Sequence, residues 1–253
     1  MSGLKLSLVI PAYNEAAVID RAIAEAESAL ARQFTDFEVL VVDDGSTDAT
    51  AARVTELLPF SPHTRLLCHD PNRGYGAALR TGFEAARYDL VAFTDADCQF
   101  DLADLGRLAA LTHEFPIAVG YRADRKDPWL RRFYSRGYNL LARAMLGTRV
   151  RDADCALKVF RRNTVGQLLP QSRGFFVNTE MLTRARQLGL PITELPVTHR
   201  PRIGGESKVS IWEIPKTART LLAFWWRHVL FGPKPVPASA NLTPKPGSTR
   251  KAA

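Results

Sequence analysis

The sequence predicts an α/β fold built on a mainly parallel sheet with helices on both faces. Short apolar runs alternate with segments whose apolar residues recur at helical spacing, in a βαβαβα rhythm through the first hundred residues. Polar, acid-bearing turns follow three of those runs, and an open parallel sheet collects such turns at one edge. The 253 residues and the 46% hydrophobic content suit one large domain with appendages.

Residues 6–10 read as the first strand, and Asn14 is placed to cap a helix over about 15–32. Residues 37–42 read as the second strand, 48–58 as the second helix and 65–69 as the third strand. A helix over about 76–87 leads into a strand at 90–94. Beyond it the rhythm weakens. Residues 117–121 suggest a strand, 129–146 a long basic amphipathic helix, 157–160 a short strand, 179–188 a helix and 192–198 a strand. Residues 200–210 are polar and carry glycines, so they read as a mobile loop. An amphipathic helix over about 211–230 precedes a proline-rich stretch without periodicity. The expected organisation is a domain over 1–210, including the basic helix at about 128–146, then an amphipathic helix over 211–232 and a disordered tail over 233–253.

Thirty-four Lys and Arg against 26 Asp and Glu give a net charge of +8 and a pI near 9.7. That balance suits anionic partners: nucleic acid, phosphorylated substrates or acidic lipid. Cys68, Cys98 and Cys155 are odd in number, widely spaced and without zinc spacing, which fits a reducing compartment. No apolar stretch approaches the roughly 18 residues of a membrane-spanning helix, and the first apolar run is too short for a signal peptide. Neither Gly-x-Gly-x-x-Gly nor a Walker sequence occurs, which argues against a dinucleotide redox enzyme and a P-loop NTPase.

The most informative stretch is Phe93-Thr94-Asp95-Ala96-Asp97-Cys98-Gln99. Asp95, Asp97 and Gln99 leave a buried strand at alternate positions. In an extended segment alternate side chains point the same way, so the three can converge as oxygen ligands for Mg²⁺ or Mn²⁺. Asp-x-Asp alone also reads as a solvated turn or a helix cap; its neighbours shift the balance. The turns Pro11-Ala12-Tyr13-Asn14-Glu15 and Val42-Asp43-Asp44-Gly45-Ser46-Thr47-Asp48 are expected on the same sheet edge. Paired acids there can bind ribose hydroxyls or a base edge, and Gly45 permits a tight turn; the second turn also reads as a helix-capping one. Asn72-Arg73-Gly74-Tyr75-Gly76 precedes a helix and can either approach phosphates or act as a connector.

In this order and combination the motifs resemble glycosyltransferase family 2, inverting transferases with the GT-A fold. The matching pieces are Val-Ile-Pro-Ala-Tyr-Asn-Glu (9–15), Val-Val-Asp-Asp-Gly-Ser-Thr-Asp (41–48), Asn-Arg-Gly-Tyr-Gly-Ala-Ala-Leu (72–79) and Thr-Asp-Ala-Asp-Cys-Gln (94–99). A second set is similar to the dolichyl-phosphate mannose and glucose synthases and their bacterial polyprenyl-phosphate relatives. It comprises Gly120-Tyr121-Arg122, Arg131-x-x-x-Ser135-x-x-x-Asn139, Asp152-x-x-Cys155-x-x-Lys158, Asn178-Thr179-Glu180 and Arg202-x-x-Gly205-Glu206-Ser207-Lys208. The resemblance implies that Pro11, Tyr13, Glu15, Val42 and Asp44 hold the nucleoside. It implies that Asp95, Asp97 and Gln99 hold the metal on the diphosphate, with Ala96 backing the nucleotide. Arg122, Arg131 and Ser135 would receive a lipid phosphate, and Arg202 and Lys208 would close over the donor. Asp97, Arg122, Arg202 and Lys208 are then the expected catalytic residues. Cys155-Ala156-Leu157-Lys158 lies closer to the glucosyl-type pattern than to the mannosyl-type one, which leaves GDP-mannose and UDP-glucose both open as donor.

Chemistry alone points the same way. A diphosphate leaving group needs neutralising charge, which a divalent ion with Arg or Lys supplies. A phosphate monoester acceptor is mostly a dianion at neutral pH and needs cations rather than a general base. Residues 121–162 hold twelve Lys or Arg against four Asp, a cluster suited to phosphate or to a solvated helix face. Asp152, Asp154 and Glu180 are open as a base for a hydroxyl acceptor or as structural partners of arginines. The helices at 129–146 and 211–230 mix Trp, Phe and Leu with Arg and Lys, as interfacial membrane helices do; core or dimer packing is the alternative. The expected protein is a peripheral enzyme on the cytoplasmic face of a membrane, using Mg²⁺ or Mn²⁺, with no nucleic acid and room for a membrane-protein partner. The rivals are a transferase with a soluble hydroxyl acceptor and a non-catalytic basic adaptor for anionic lipid or nucleic acid.

Overall fold

The computed structural model describes residues 3–124, 129–148, 150–174, 176–201 and 213–226, with the backbone alone at 129–136, 139 and 213–218. Among them, seven strands form one sheet: β1 (Lys5–Ala12), β2 (Asp36–Asp43), β3 (Thr64–Cys68), β4 (Leu90–Phe93), β5 (Ile117–Arg122), β6 (Lys158–Arg161) and β7 (Ile192–Val197). Their spatial order is β3-β2-β1-β4-β6-β5-β7. β1 runs parallel to β2 and to β4, β2 to β3, and β5 to β7. The mainly parallel sheet expected from the sequence is present, with one reversal: β6 is antiparallel to both of its neighbours.

β1 and β2 are buried on both faces from their second residue onward, which explains their unbroken apolar character. The covering helices are α1 (Ile19–Ala31), α2 (Thr50–Leu57), α3 (Tyr75–Ala85), α4 (Asp104–Leu111), α5 (Trp129–Leu146), α6 (Arg162–Gln167), α7 (Val177–Gln187) and α8 (Glu213–Trp225). α1 buries Ile19, Ala22, Ile23, Ala26, Ala29 and Leu30, a single helical stripe. α4 and α6 are not evident in the sequence: eight and six residues are too few to establish a period. Asn14 does not cap α1. The helix starts at Ile19 with no side-chain cap, and Asn14 sits at φ 52°, a left-handed conformation that Asn tolerates.

At the N-terminal edge of the sheet lies a buried polar knot. Ser7 donates to Glu38 Oε1 at 2.7 Å, Arg65 donates to Oε2 at 2.7 Å, and the Arg87 N–H donates to Oε1 at 2.8 Å. A second apolar cluster forms where α5 and α8 meet over Leu146, Phe176, Leu221 and Phe224. Leu140 and Leu222 on the same two helices, and Trp226 directly after α8, stay exposed, at 69%, 55% and 58%. No helix among the described residues is long and apolar enough to cross a membrane. The proposed tail at 233–253 lies outside the described residues, as does the loop expected at 200–210 beyond Pro201.

Candidate active site

The C-terminal ends of β1, β2 and β4 share one edge, as their parallel registers require. The first two turns are laced together there. The Asp44 N–H donates to the Ala12 carbonyl at 2.8 Å, the Asn14 N–H to Ser46 Oγ at 2.9 Å and the Glu15 N–H to Thr50 Oγ1 at 2.8 Å. Asn14 Oδ1 returns the favour by accepting the Thr47 N–H at 2.8 Å. Gly45 is required twice over: its φ is +69°, and a Cβ would stand 2.6 Å from the Asn72 nitrogen.

That close approach brings in the third segment. The buried Asp44 carboxylate accepts the N–H groups of Arg73 (2.9 Å) and Gly74 (2.8 Å) and lies 2.7 Å from His69 Nδ1. Its visible task is to shape the 69–74 loop, with little lone-pair capacity left for a ligand. Pro11 and Val42 are buried strand residues, Glu15 is half-buried, and Tyr13 stands on the rim, 36% exposed. Gly76 lies flat against the 172–173 backbone; a Cβ would meet the Ser172 carbonyl oxygen at 1.9 Å.

Asp95, Asp97 and Gln99 are brought to this edge by a turn, not by the extended alternation expected. β4 ends at Phe93, the chain turns at Ala96–Asp97, and Cys98 takes φ 56°. Asp97 Oδ1 accepts the Gln99 N–H at 3.2 Å, which fastens the turn. The Tyr75 hydroxyl donates to Asp95 Oδ1 at 2.9 Å. Beyond the turn, the Gln99 carbonyl accepts the Arg200 N–H at 2.7 Å, and Arg200 reaches Asp101 at 2.8 Å and Glu25 at 3.3 Å. Arg202 and Lys208 follow that pinned segment and lie outside the described residues.

Burial, and then the neighbouring Asp97 carboxylate, push the Asp95 carboxyl up to about 6. No lysine or arginine is in salt-bridge contact with Asp95 among the described residues. A buried acid with a second carboxylate beside it fits a divalent cation with oxygen ligands. The described residues assemble no set of three His, Cys, Asp or Glu ligands. Two carboxylates and an amide are a sparse set that leaves positions for phosphate oxygens and water. The Cys98 and Cys155 thiols are raised by burial to about 11 and about 12, so neither is a thiolate near neutrality.

On the other half of the edge, Arg122 is 8% exposed and forks onto Asp152, with Nε 2.6 Å and Nη2 2.9 Å from its two oxygens. Glu180 accepts the N–H groups of Gln171 and Ser172 and pairs with Arg184 at 3.0 Å. Asp152 and Glu180 are thus both paired with arginines. Arg131 and Ser135 belong to α5, and their side chains lie outside the described residues. Three residues that reading for ligands passes over come together here: Tyr75, Lys158 and Asn178. The signal for Lys158 was a lone lysine inside the apolar run Ala156–Leu157–Lys158–Val159–Phe160.

The family model for glycosyl transferase family 2 matches residues 7–169. Glycosyltransferase AglD of Haloferax volcanii is 33% identical over 239 residues, covering 89% of this chain and 38% of that protein. The undecaprenyl-phosphate 4-deoxy-4-formamido-L-arabinose transferase of Pseudomonas fluorescens is 34% identical over 211 residues, covering 81% of this chain and 60% of that protein. The chain thus spans about two-fifths to three-fifths of the length of these curated relatives. Glucosyl-3-phosphoglycerate synthase from Mycobacterium tuberculosis, solved with Mn²⁺, UDP and glucosyl-3-phosphoglycerate, superposes with a TM-score of 0.66 over 88% of this chain and 78% of its own, at 21% identity. That likeness shows a shared GT-A fold. Because the matched span takes in all three turns, the Asp95–Gln99 corner and the reversed strand β6, the chain belongs to glycosyltransferase family 2.

Proposed function

We propose that this chain transfers a hexose from a nucleoside-diphosphate donor, GDP-mannose or UDP-glucose, to a polyprenyl phosphate, with inversion at C1. The observation that carries the reading is the Asp95–Asp97 corner: two crowded carboxylates at the sheet edge where the first three turns meet. A relative of similar sequence is named for transfer onto undecaprenyl phosphate, and a structural neighbour holds UDP with Mn²⁺.

In this reading Pro11, Tyr13, Glu15 and Val42 surround the nucleoside, and Asp44 acts through the 69–74 loop that it shapes. Asp95, Asp97 and Gln99 hold Mg²⁺ or Mn²⁺, with Ala96 behind the nucleotide; the bound ion supplies neutralising charge to the departing diphosphate. Arg202 and Lys208 close on the donor. Arg122, Arg131 and Ser135 receive the acceptor phosphate, Arg122 by sharing a fork that Asp152 already orients. One acceptor phosphate oxygen forms a bond to C1 as the bond from C1 to the diphosphate oxygen breaks. The engagement of Asp152 and Glu180 with arginines favours this acceptor over a hydroxyl, which would need a free base. Exposed Leu140, Leu222 and Trp226 beside basic residues suit a peripheral position at a membrane interface, on the cytoplasmic face.

Radiolabelled transfer into an organic-extractable lipid tests the proposal, with polyprenyl phosphate, Mn²⁺ or Mg²⁺, and GDP-mannose and UDP-glucose in parallel. Label in the lipid phase from one donor is the expected result. Metal-dependent donor hydrolysis without lipid label would overturn the acceptor assignment.

A further inference from the structure

Lys158 is the largest charged side chain fully buried among the described residues, 1% exposed at the head of β6. Because β6 is reversed, Lys158 lies opposite Phe93, two residues before Asp95. Its Nζ donates to the Ala153 carbonyl at 3.1 Å, to Asn178 Oδ1 at 2.9 Å and to the Cys155 carbonyl. Three oxygen acceptors require three N–H donors. An ammonium has three; a neutral amine has two and would turn a lone pair on an oxygen. The ring of Phe93 lies 5.3 Å from Nζ, a further contact that favours a cation. Burial lowers the affinity of Lys158 for its proton, and the nearby carboxylates, Asp95 among them, oppose that. The net direction is downward, set by burial, while the three oxygen acceptors around Nζ are the set that an ammonium satisfies.

From Lys158 the donors run in one direction. Lys158 donates to Asn178 Oδ1, the Asn178 side chain bonds the Tyr75 oxygen, and the Tyr75 hydroxyl donates to Asp95 Oδ1. Asn178 is buried on α7 and Tyr75 opens α3, so β6, α7, α3 and the end of β4 all meet in this chain.

We propose that Lys158, acting through Asn178 and Tyr75, is a positioning residue that fixes Asp95 and places a positive charge behind the donor site. The proposal rests on the reading of Asp95 and Asp97 as that site. The charge has opposite consequences for two ligands. It repels a divalent cation arriving alone, and it attracts a diphosphate. The site thereby favours the cation together with the diphosphate over the bare cation.

The test uses Lys158→Met, which keeps the length of the side chain without its charge, and Tyr75→Phe, which keeps the ring and cuts the last link. Binding of Mn²⁺ alone, and of UDP and GDP in saturating Mn²⁺, is measured by calorimetry at pH 8.5, with thermal unfolding as the control for folding. For Lys158→Met the expected result is about 3-fold to 10-fold tighter Mn²⁺ and about 10-fold weaker diphosphate. Tyr75→Phe is expected to weaken the diphosphate about 3-fold, and the double variant to be no weaker than Lys158→Met alone. A purely structural role would weaken both ligands together, and that pattern overturns the proposal. If Lys158→Met does not fold, wild-type affinities in Tyr75→Phe overturn it. Wild-type protein that binds neither Mn²⁺ nor either diphosphate overturns the donor-site reading and this proposal with it. Wild-type binding with unchanged affinities in both variants overturns this proposal alone.

Discussion

The two ends of the sheet treat a buried carboxylate in opposite ways. At the N-terminal edge Glu38 has Ser7, Arg65 and a backbone N–H within 2.8 Å. At the C-terminal edge Asp95 has a tyrosine hydroxyl and a second acid beside it, with the Lys158 side chain held off by intervening Asn178 and Tyr75. The same strands thus carry a finished ion pair at one end and an unfinished one at the other. Stability is invested where the charge is matched, and the capacity to take up a cation remains where it is not.

The largest test breaks the unfinished end. Asp97→Ala is expected to lower sugar transfer about 10³-fold while the melting curve stays close to wild type; near-normal turnover would remove the corner from the chemistry. Glu38→Ala breaks the finished end. It should cost about 3 kcal/mol in urea unfolding, because Arg65 and Ser7 lose their shared acceptor, with donor affinity preserved in the folded fraction.

A third test separates the ends by pH. The Asp95 carboxyl is raised in the fold to about 6 from its ordinary 3.8. The native state therefore binds the proton more tightly than the unfolded chain, and stability falls as pH rises from about 4 to above 6. Asp95→Asn keeps an acceptor for Tyr75 and removes the charge. In chelator it should raise stability at pH 8 by about 2–3 kcal/mol, a gain that fades as pH falls toward 4. The opposite trend would mean that Asp95 is matched after all. The smallest effect belongs to a pair at neither end: Arg80→Ala, which removes the exposed Arg80–Glu84 bridge, should change stability by less than about 0.5 kcal/mol.

The strands and long helices were legible because a buried parallel sheet writes apolar runs, and a surface helix writes an apolar stripe. Even the bounds of α5 can be read from its apolar and basic spacing. The short helices α4 and α6 were not legible. Nor was the direction of β6, because four residues, Lys158–Arg161, carry no sign of which way they run. At the site, composition located the turns but not their bonding. Asn14 looks like a cap and is instead a clamp between two turns, a role set by Thr47 and Asp48 more than thirty residues away. Asp44 looks like a ligand, and its oxygens also hold a loop whose partners lie beyond residue 68. Lys158 gains its meaning only when β6 is laid beside β4. Local rules describe elements well; contacts between distant turns are invisible to them.

The reversal of β6 also bears on how the molecule comes together. The sheet consists of two blocks, β3-β2-β1-β4 and β5-β7, and β6 is the one strand bonded to both. The first block is complete once residue 93 has been made, yet it stays separate from β5 until residues 158–161 enter between them. That insertion closes a loop of more than sixty residues, a slow kind of step because the chain entropy is lost before the contacts form. It also delivers Lys158 to the back of Asp95. The seam that joins β6 to β4 is therefore the one that completes the site, and a chain in which it is open lacks the charge behind the acidic corner.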